Sequence, residues 1–586
     1  MTQKLLFVLQ QYSLLLLFAL SAWGWGRSAL RVLRTPELGG EYRHPAAMIV
    51  GFGWVIVLLQ GLGIAGMLNS MFTALILAAG GSLCVVEMTR IAWRSALANC
   101  YAAWRAHPSN VKCAWVAAGF FWVSTLASPL RPPSEWDELM YHLPHAAQWA
   151  RTGTLTVNGW LRYPWFPYNF NLLYASALVL GSDVLPHLLH ALAGWITTLL
   201  LYQWARPHFG SVSAVFAAMI WLLLARGQFG NAYIDLAVAM FALFSFVCLA
   251  RWIERKDLAW LTLASWGLGL AIGTKYQALT LLPFFAVAVL FARPAPRQLL
   301  VPLVAFCLPC IYWYGRNFVL AGDPVAPLGG KMLGFSDWNL TDYRAQFEDL
   351  RRVASVPPIV VWPCLLGVAF HLARSRKTVR LAAAYGAYAL VVWALTSRYP
   401  RYLLLAYPVL AIFAVAGYHC ALQSLARHVS DSNRERWTRL ASVAVLMIAM
   451  VAPLPQLRRH WMEIAYSAQS RDALLVKKVT GYCMWAYLRE RPAGRIYQFA
   501  MEDAIYYAPN PIWGEVFGPW RYSDYAALDA PALHKRLSAE GFDSLLIHTG
   551  RAGNVVAKAD FDRHFSLVHE DGEVKLFTFR KVLTNE

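Results

Sequence analysis

Apolar stretches of about 16–24 residues recur along most of this chain, and a helix needs about 20 to cross the hydrocarbon core of a bilayer. The pattern predicts spans near residues 5–25, 47–66, 71–90, 113–130, 184–205, 210–228, 232–252, 258–273, 276–292, 298–316, 356–373, 381–396, 402–422 and 438–455. Alternating strands of roughly ten residues, the mark of a membrane barrel, do not occur. The expected fold is therefore an all-α polytopic membrane protein of about 14 transmembrane helices. From Leu457 the long apolar runs stop. Arg495–Phe499, Ser544–His548 and Lys575–Phe579 read as short buried strands, with helical patches such as 471–488 and 532–539 between them. Such a tail, at about 130 residues, is large enough for one small C-terminal α/β domain. The expected division is 1–112, extra N-terminal helices; 113–456, a membrane domain with outer loops 131–183 and 317–355; and 457–586, the tail domain.

Composition agrees: 58% hydrophobic and 15% charged residues, with a mean hydropathy of +0.41, exclude an ordinary soluble chain. Lys and Arg gather at 27–43, 90–112, 251–256, 293–297, 374–380 and 427–439. All of these fall on one side if the spans alternate, which makes that side cytoplasmic. The two loops and the tail then lie outside. The net charge of +19 is a topology signal, not a nucleic-acid footprint, because no basic stripe with interleaved aromatics appears in a soluble segment. Lys4 and the apolar run after it resemble a secretory signal. The arginines at 27, 31 and 34 and the lack of a small-x-small site favour a retained first span with its N-terminus outside. The nine cysteines mostly fall in or beside spans, so no disulfide framework is expected in the tail. Cys307-Leu-Pro-Cys310 has redox-pair spacing but lies inside a span, where small polarizable side chains pack.

The chemistry concentrates at the outer ends of the spans. Asp137 and Glu138 follow the span 113–130, and two adjacent acids at a bilayer surface repel each other and resist desolvation. His142 follows them. Asp235 opens a later span, Lys275 sits in the hairpin Gly273-Thr-Lys-Tyr276, Arg316-Asn317 closes another span, and Arg398 and Arg401 lie between two more. Cations at outer ends run against the positive-inside tendency, so a few carboxylates face several fixed cations there. That set can activate a hydroxyl while holding a phosphate. Glu138, His142 and His145 also have helical spacing for a metal, but Pro144 interrupts it and no further close ligand completes a cage. Loop 131–183 is rich in Trp, Tyr and Phe; anchoring at the membrane interface accounts for most of them, and stacking on sugars is the other use. Arg-Tyr-Pro occurs at 162–164 and again at 398–400, too short a recurrence to set apart from chance.

These motifs, in order, resemble the C-type (GT-C) integral-membrane glycosyltransferases, in the branch of protein O-mannosyltransferases and aminoarabinose transferases. The points of likeness are Asp137-Glu138, Tyr141-His142-Leu-Pro144, Asp235, Lys275-Tyr276, Arg316-Asn317 with Gly322-Asp-Pro324, and Arg401 through Pro408, spanning about residues 113–425. The resemblance implies a multi-pass protein of a bacterial-type inner membrane with its active site and C-terminus on the periplasmic side. It implies a sugar donor on a polyprenyl phosphate or pyrophosphate and a lipid, glycan or protein acceptor. Asp137, with Glu138 as the near alternative, would be the base. Tyr141, His142, Asp235, Lys275, Tyr276, Arg316, Asn317, Arg398 and Arg401 would hold substrate and phosphate. A divalent cation, Mg or Mn, stays open, since some relatives need one and others do not; no metal ligand is assigned. Two other readings compete. A glycan ligase or polymerase of the O-antigen type would depend less on an acidic base. A lipid or solute transporter would show broken helices and polar groups near mid-membrane.

Overall fold

The computed structural model describes residues 2–33, 42–91, 93–329, 356–396, 398–426, 451–491, 493–514 and 525–580, with isolated positions between. The chain is predominantly helical. Among the described residues, eight helices are long and apolar enough to cross a membrane: Thr2–Val32, Arg43–Ile64, Ser70–Thr89, Ser109–Leu130, Leu185–Phe209, Ser211–Gln228, Asp235–Arg255 and Lys377–Leu395. Shorter apolar helices, Leu258–Ile272, Tyr276–Ala292 and Ile359–Arg374, and the 20-residue helix Tyr407–Ala426 fill the rest of the bundle. The expected span 438–455 lies mostly outside the described residues.

The expected span 298–316 is instead two helices, Pro296–Cys307 and Ile311–Ala321, bent by 72°. Pro309 sits at the break, where it removes a backbone donor and crowds the preceding turn. The cysteines 307 and 310 flank this bend as free thiols.

The first three helices pack tightly against one another. A Cβ on Gly51 would lie 1.6 Å from Ala22 O, so only glycine lets the first two helices cross so closely. Glu87 is buried and takes Arg31 at 2.6 Å and Arg90 at 3.2 Å, with Arg27 at 3.6 Å. It neutralises cations that would otherwise repel at one end of this unit. The unit joins the rest through Trp54 and Trp266, whose ring centres are 5.2 Å apart.

Among the described residues, the tail forms a five-stranded sheet in the order β2-β1-β3-β5-β4. The strands are β1 Ile496–Phe499, β2 Ile512–Trp513, β3 Ser544–His548, β4 Phe565–Asp571 and β5 Val574–Phe579. β1 runs parallel to β2 and β3, and β5 closes antiparallel on β3 with Leu546 opposite Leu576. β4, half exposed, had too mixed a pattern to be read from the sequence. The expected helix 471–488 is two, Ala468–Lys478 and Tyr482–Glu490, broken at Gly481 with φ +68°.

This domain docks on loop 131–183. Tyr507 donates to Pro133 O at 2.7 Å, Arg471 pairs with Asp183, and Arg551 lies 5.0 Å over the Trp136 ring. Within the loop, short helices Leu143–Thr152 and Asn169–Val179 are largely buried against the bundle.

Candidate active site

Pro132 and Pro133 bring the chain off the span Ser109–Leu130, and Asp137 then precedes a single π-helical turn, Glu138–His142. Such turns re-aim successive side chains, and here the two adjacent acids part company. Asp137 points into a cavity of about 350 Å³ and pairs with Arg401 Nη1 through Oδ2 at 2.6 Å. Its backbone N–H donates to the Tyr233 hydroxyl at 3.3 Å.

Glu138 turns away and does not line that cavity; the expectation that it is an alternative base needs correction. It is fully buried, and every acceptor direction is engaged. Oε1 accepts from the backbone of Ser134 at 2.5 Å and Glu135 at 2.7 Å; Oε2 accepts from Ala232 N at 2.6 Å and meets His187 Nε2 at 2.8 Å. Burial opposes its ionisation, but His187 and these N–H donors outweigh that and hold the carboxyl below its ordinary value of 4.5. Glu138 thus ties the Asp137 turn to the 231–235 segment. Glu138→Ala would leave several buried donors unpaired and is expected to cost about 3–5 kcal/mol, read as a lower thermal midpoint or lost expression. Because the folded carboxyl is depressed, this stabilisation is complete at neutral pH and disappears as pH falls through that depressed value. Melts of wild type stepped down in pH, beside Glu138→Gln, check the sign.

Lys275 reaches the same cavity through a tight hairpin. The helix Leu258–Ile272 ends at Gly273, where a Cβ would lie 2.2 Å from Asn169 Nδ2. Glycine there lets Asn169 N donate to Gly273 O at 2.9 Å. Lys275 is then extended, and its Nζ pairs with Asp235 Oδ1 at 2.7 Å while lying 4.8 Å over the Tyr402 ring. Asp235, the first residue of its helix, holds Lys275 without itself lining the cavity. Arg401 follows Pro400 on a short 3₁₀ turn and lies 5.7 Å over that same Tyr402 ring. Burial works against its charge, but Asp137 and Asp235 prevail and hold its pKa well above the usual arginine value.

His142, Tyr141 and Tyr276 also line the cavity. Asn171 Nδ2 donates to His142 Nδ1 at 3.1 Å, which assigns the ring proton to Nε2. Burial and then the Lys275 charge push His142 well below 6.5, so the imidazole is neutral.

Arg316, Asn317 and Arg398 stand apart, contrary to the expectation that they converge with Lys275. Arg316 is enclosed by Trp165 and Trp313 and donates to Asn317 Oδ1 at 2.8 Å and Pro164 O at 3.2 Å. Asn317 in turn donates to Trp165 O at 2.7 Å and the Tyr276 hydroxyl at 2.8 Å. The pair brackets loop 163–168 against the hairpin. Arg398 is exposed and bonds its own helix at Ala394 O, 3.3 Å away.

The sequence reading missed several contributors. Tyr163, Phe166 and Tyr168 line the cavity rather than serving only as interfacial anchors, and Gln277 and Tyr402 join them. The lining also includes apolar side chains, among them Leu281, Val392, Trp393, Leu403 and Leu405. A second cavity of about 730 Å³ shares Asp137, Tyr163, Arg401 and Tyr402 with the first and extends toward Trp136, Arg162, Gln228, Tyr399 and Tyr407. The Asp137–Arg401 pair therefore stands between two chambers. Among the described residues, no three His, Cys, Asp or Glu side chains gather to hold a metal ion, and Asp137 and Asp235 each already face a cation.

Comparison with known proteins agrees with this architecture. Residues 170–313 match the family described as dolichyl-phosphate-mannose-protein mannosyltransferase, and residues 470–578 match a family designated SF2091/S2213. Shigella flexneri protein SF2093/S2215, uncharacterized, is 26% identical over 194 residues, covering 32% of this chain and 91% of its own. The apo crystal structure of ArnT from Cupriavidus metallidurans superposes with a TM-score of 0.51 at 16% identity, covering 78% of this chain and 95% of that one. The same protein bound to undecaprenyl phosphate gives 0.49 at 14% identity, covering 79% and 97%. The chain thus shares the ArnT fold across most of both chains, and the mannosyltransferase pattern lies over the segment that carries Asp235 and Lys275.

Proposed function

We propose that the enzyme moves a sugar from a polyprenyl-phosphate-type lipid to an acceptor hydroxyl or amine at the periplasmic face of a bacterial-type inner membrane. The observation that carries this reading is the lining of the first cavity, which combines Asp137, Lys275 and Arg401 with apolar side chains such as Leu281, Val392 and Trp393. A phosphate with a hydrocarbon tail suits a lining of this mixed kind, and ArnT has been crystallised with such a lipid. In the reaction, the acceptor oxygen or nitrogen forms a bond to the anomeric carbon as the bond from that carbon to the phosphate oxygen breaks. Asp137 takes the acceptor's proton. Lys275 and Arg401 receive the charge left on the lipid phosphate, which each fixed cation stabilises in the transition state. Donor binding gives Arg401 a new anion and frees Asp137 from its 2.6 Å ion pair, so the base is unmasked when the leaving group is in place. Tyr141, His142 and Tyr276 shape the space around the sugar.

The test is release of polyprenyl phosphate by the purified protein from a panel of polyprenyl-phosphate and -pyrophosphate sugars. Release from a monosaccharyl donor is expected. Release only from long glycan donors would favour a ligase, and none from any donor would favour transport.

A further inference from the structure

The second cavity borders three separated parts of the chain. Arg162-Tyr163 comes from the loop, Tyr399-Pro400 from the turn between two later helices, and Trp136-Asp137 from the π-turn. The two Arg-Tyr-Pro tripeptides thus both reach one chamber through their tyrosines. The tail domain touches two of its lining residues, Trp136 and Arg162. The carboxyl ends of the parallel strands β1 and β3 carry Glu502-Asp503 and Arg551, and in open sheets this end is where ligand crevices form. Arg551 lies 5.0 Å over Trp136, and Glu502 is 3.9 Å from Arg162.

Two features specify what fits. Trp136, Tyr399 and Tyr407 offer aromatic rings, and Trp136 is 44% exposed beside the proposed base. Ring faces carry the negative lobe of the quadrupole and suit the partly positive C–H faces of a sugar, while Gln228 and the guanidinium edges suit its hydroxyls. The charges here also cancel in pairs: Arg162 with Glu502 at 3.9 Å, Arg401 with Asp137 at 2.6 Å, and Arg551 with Asp503 at 2.9 Å. A phosphorylated or acidic acceptor would have to displace Glu502 and Asp503 from Arg162 and Arg551, while Arg401 is taken up by the donor phosphate in the reaction proposed above; fixed charge around a site selects its ligand's sign.

Resting on the transfer reaction proposed above, we infer that the acceptor is an uncharged glycan, seated in this second cavity between Trp136 and the tyrosines, beside the tail-domain contacts to Trp136 and Arg162. Stacking on Trp136 sets a hydroxyl next to Asp137, one residue along the chain.

The test is a ligand-observed NMR titration of the full-length protein in nanodiscs, without donor. The probes are a neutral hexose trisaccharide, a hexuronate trisaccharide and a Ser/Thr-containing hexapeptide. Saturable binding of the neutral trisaccharide is expected, weakened about tenfold or more by Trp136→Ala and kept within roughly threefold by Trp136→Phe. Tighter binding of the hexuronate, binding of the peptide alone, or an unchanged Kd in Trp136→Ala would each overturn it. Because no donor is present, a protein that binds the glycan yet releases no lipid phosphate would contradict the transfer reaction, and with it the acceptor role, while leaving the glycan site itself in place.

Discussion

Asp137→Asn is expected to lower polyprenyl-phosphate release about 10³-fold, within the range that a positioned general base supplies. The change is nearly isosteric and removes only the proton-accepting charge and half of the 2.6 Å pair with Arg401. Arg401 stays ionised and is then freer to meet the donor phosphate, so the donor KM should hold or fall while kcat collapses. A loss of uniform binding would give the reverse pattern. Glu135→Gln is the matched control: its side chain is 46% exposed, close in sequence, and lines neither cavity. Its rate should stay within about twofold of wild type, as for a surface change away from the chemistry. Equal rates for Asp137→Asn and wild type would remove the base from the proposal.

Lys275→Gln is expected to cost about 10²-fold in kcat, the order found when one preorganised donor to a developing oxyanion is lost. A complication follows from the fold. Asp235 is 4% exposed and depends on Lys275 at 2.7 Å, so the single variant leaves a buried carboxylate unpaired and weakens the protein as well. The double variant Asp235→Asn/Lys275→Gln separates the two effects. It should regain most of the lost thermal stability and none of the rate. Recovery of both would mean that Lys275 serves only to neutralise Asp235.

The charges at span ends were legible in the sequence because an ionised group at a membrane boundary is costly and stands out against apolar runs. That logic located Asp137, Asp235, Lys275 and Arg401, which the fold gathers within a few side chains of one another. It could not tell which way each cation faces. Arg316 satisfies the same rule by stacking on Trp313 at 5.1 Å and bonding Asn317, not by reaching the cavity. Nor could adjacency separate Asp137 from Glu138: one local π-turn sends one into the chamber and the other into a buried knot with His187. The aromatics of 163–168 were misweighted for a related reason. Amphipathic rings suit a membrane interface and a ligand wall equally well, and only the Arg316–Asn317 bracket that folds this loop inward decides between them. The bend at Pro309 was foreseeable from proline chemistry, although hydropathy alone runs straight through it.

The most direct measurement is a structure of the protein in lipid nanodiscs with polyprenyl monophosphate bound. The account predicts the phosphate within about 4 Å of both Lys275 Nζ and the Arg401 guanidinium, the isoprene tail along Leu281 and Val392, and the Asp137–Arg401 contact opened. A phosphate seated instead against Arg316 or Arg398, with Asp137 still paired to Arg401, would contradict it.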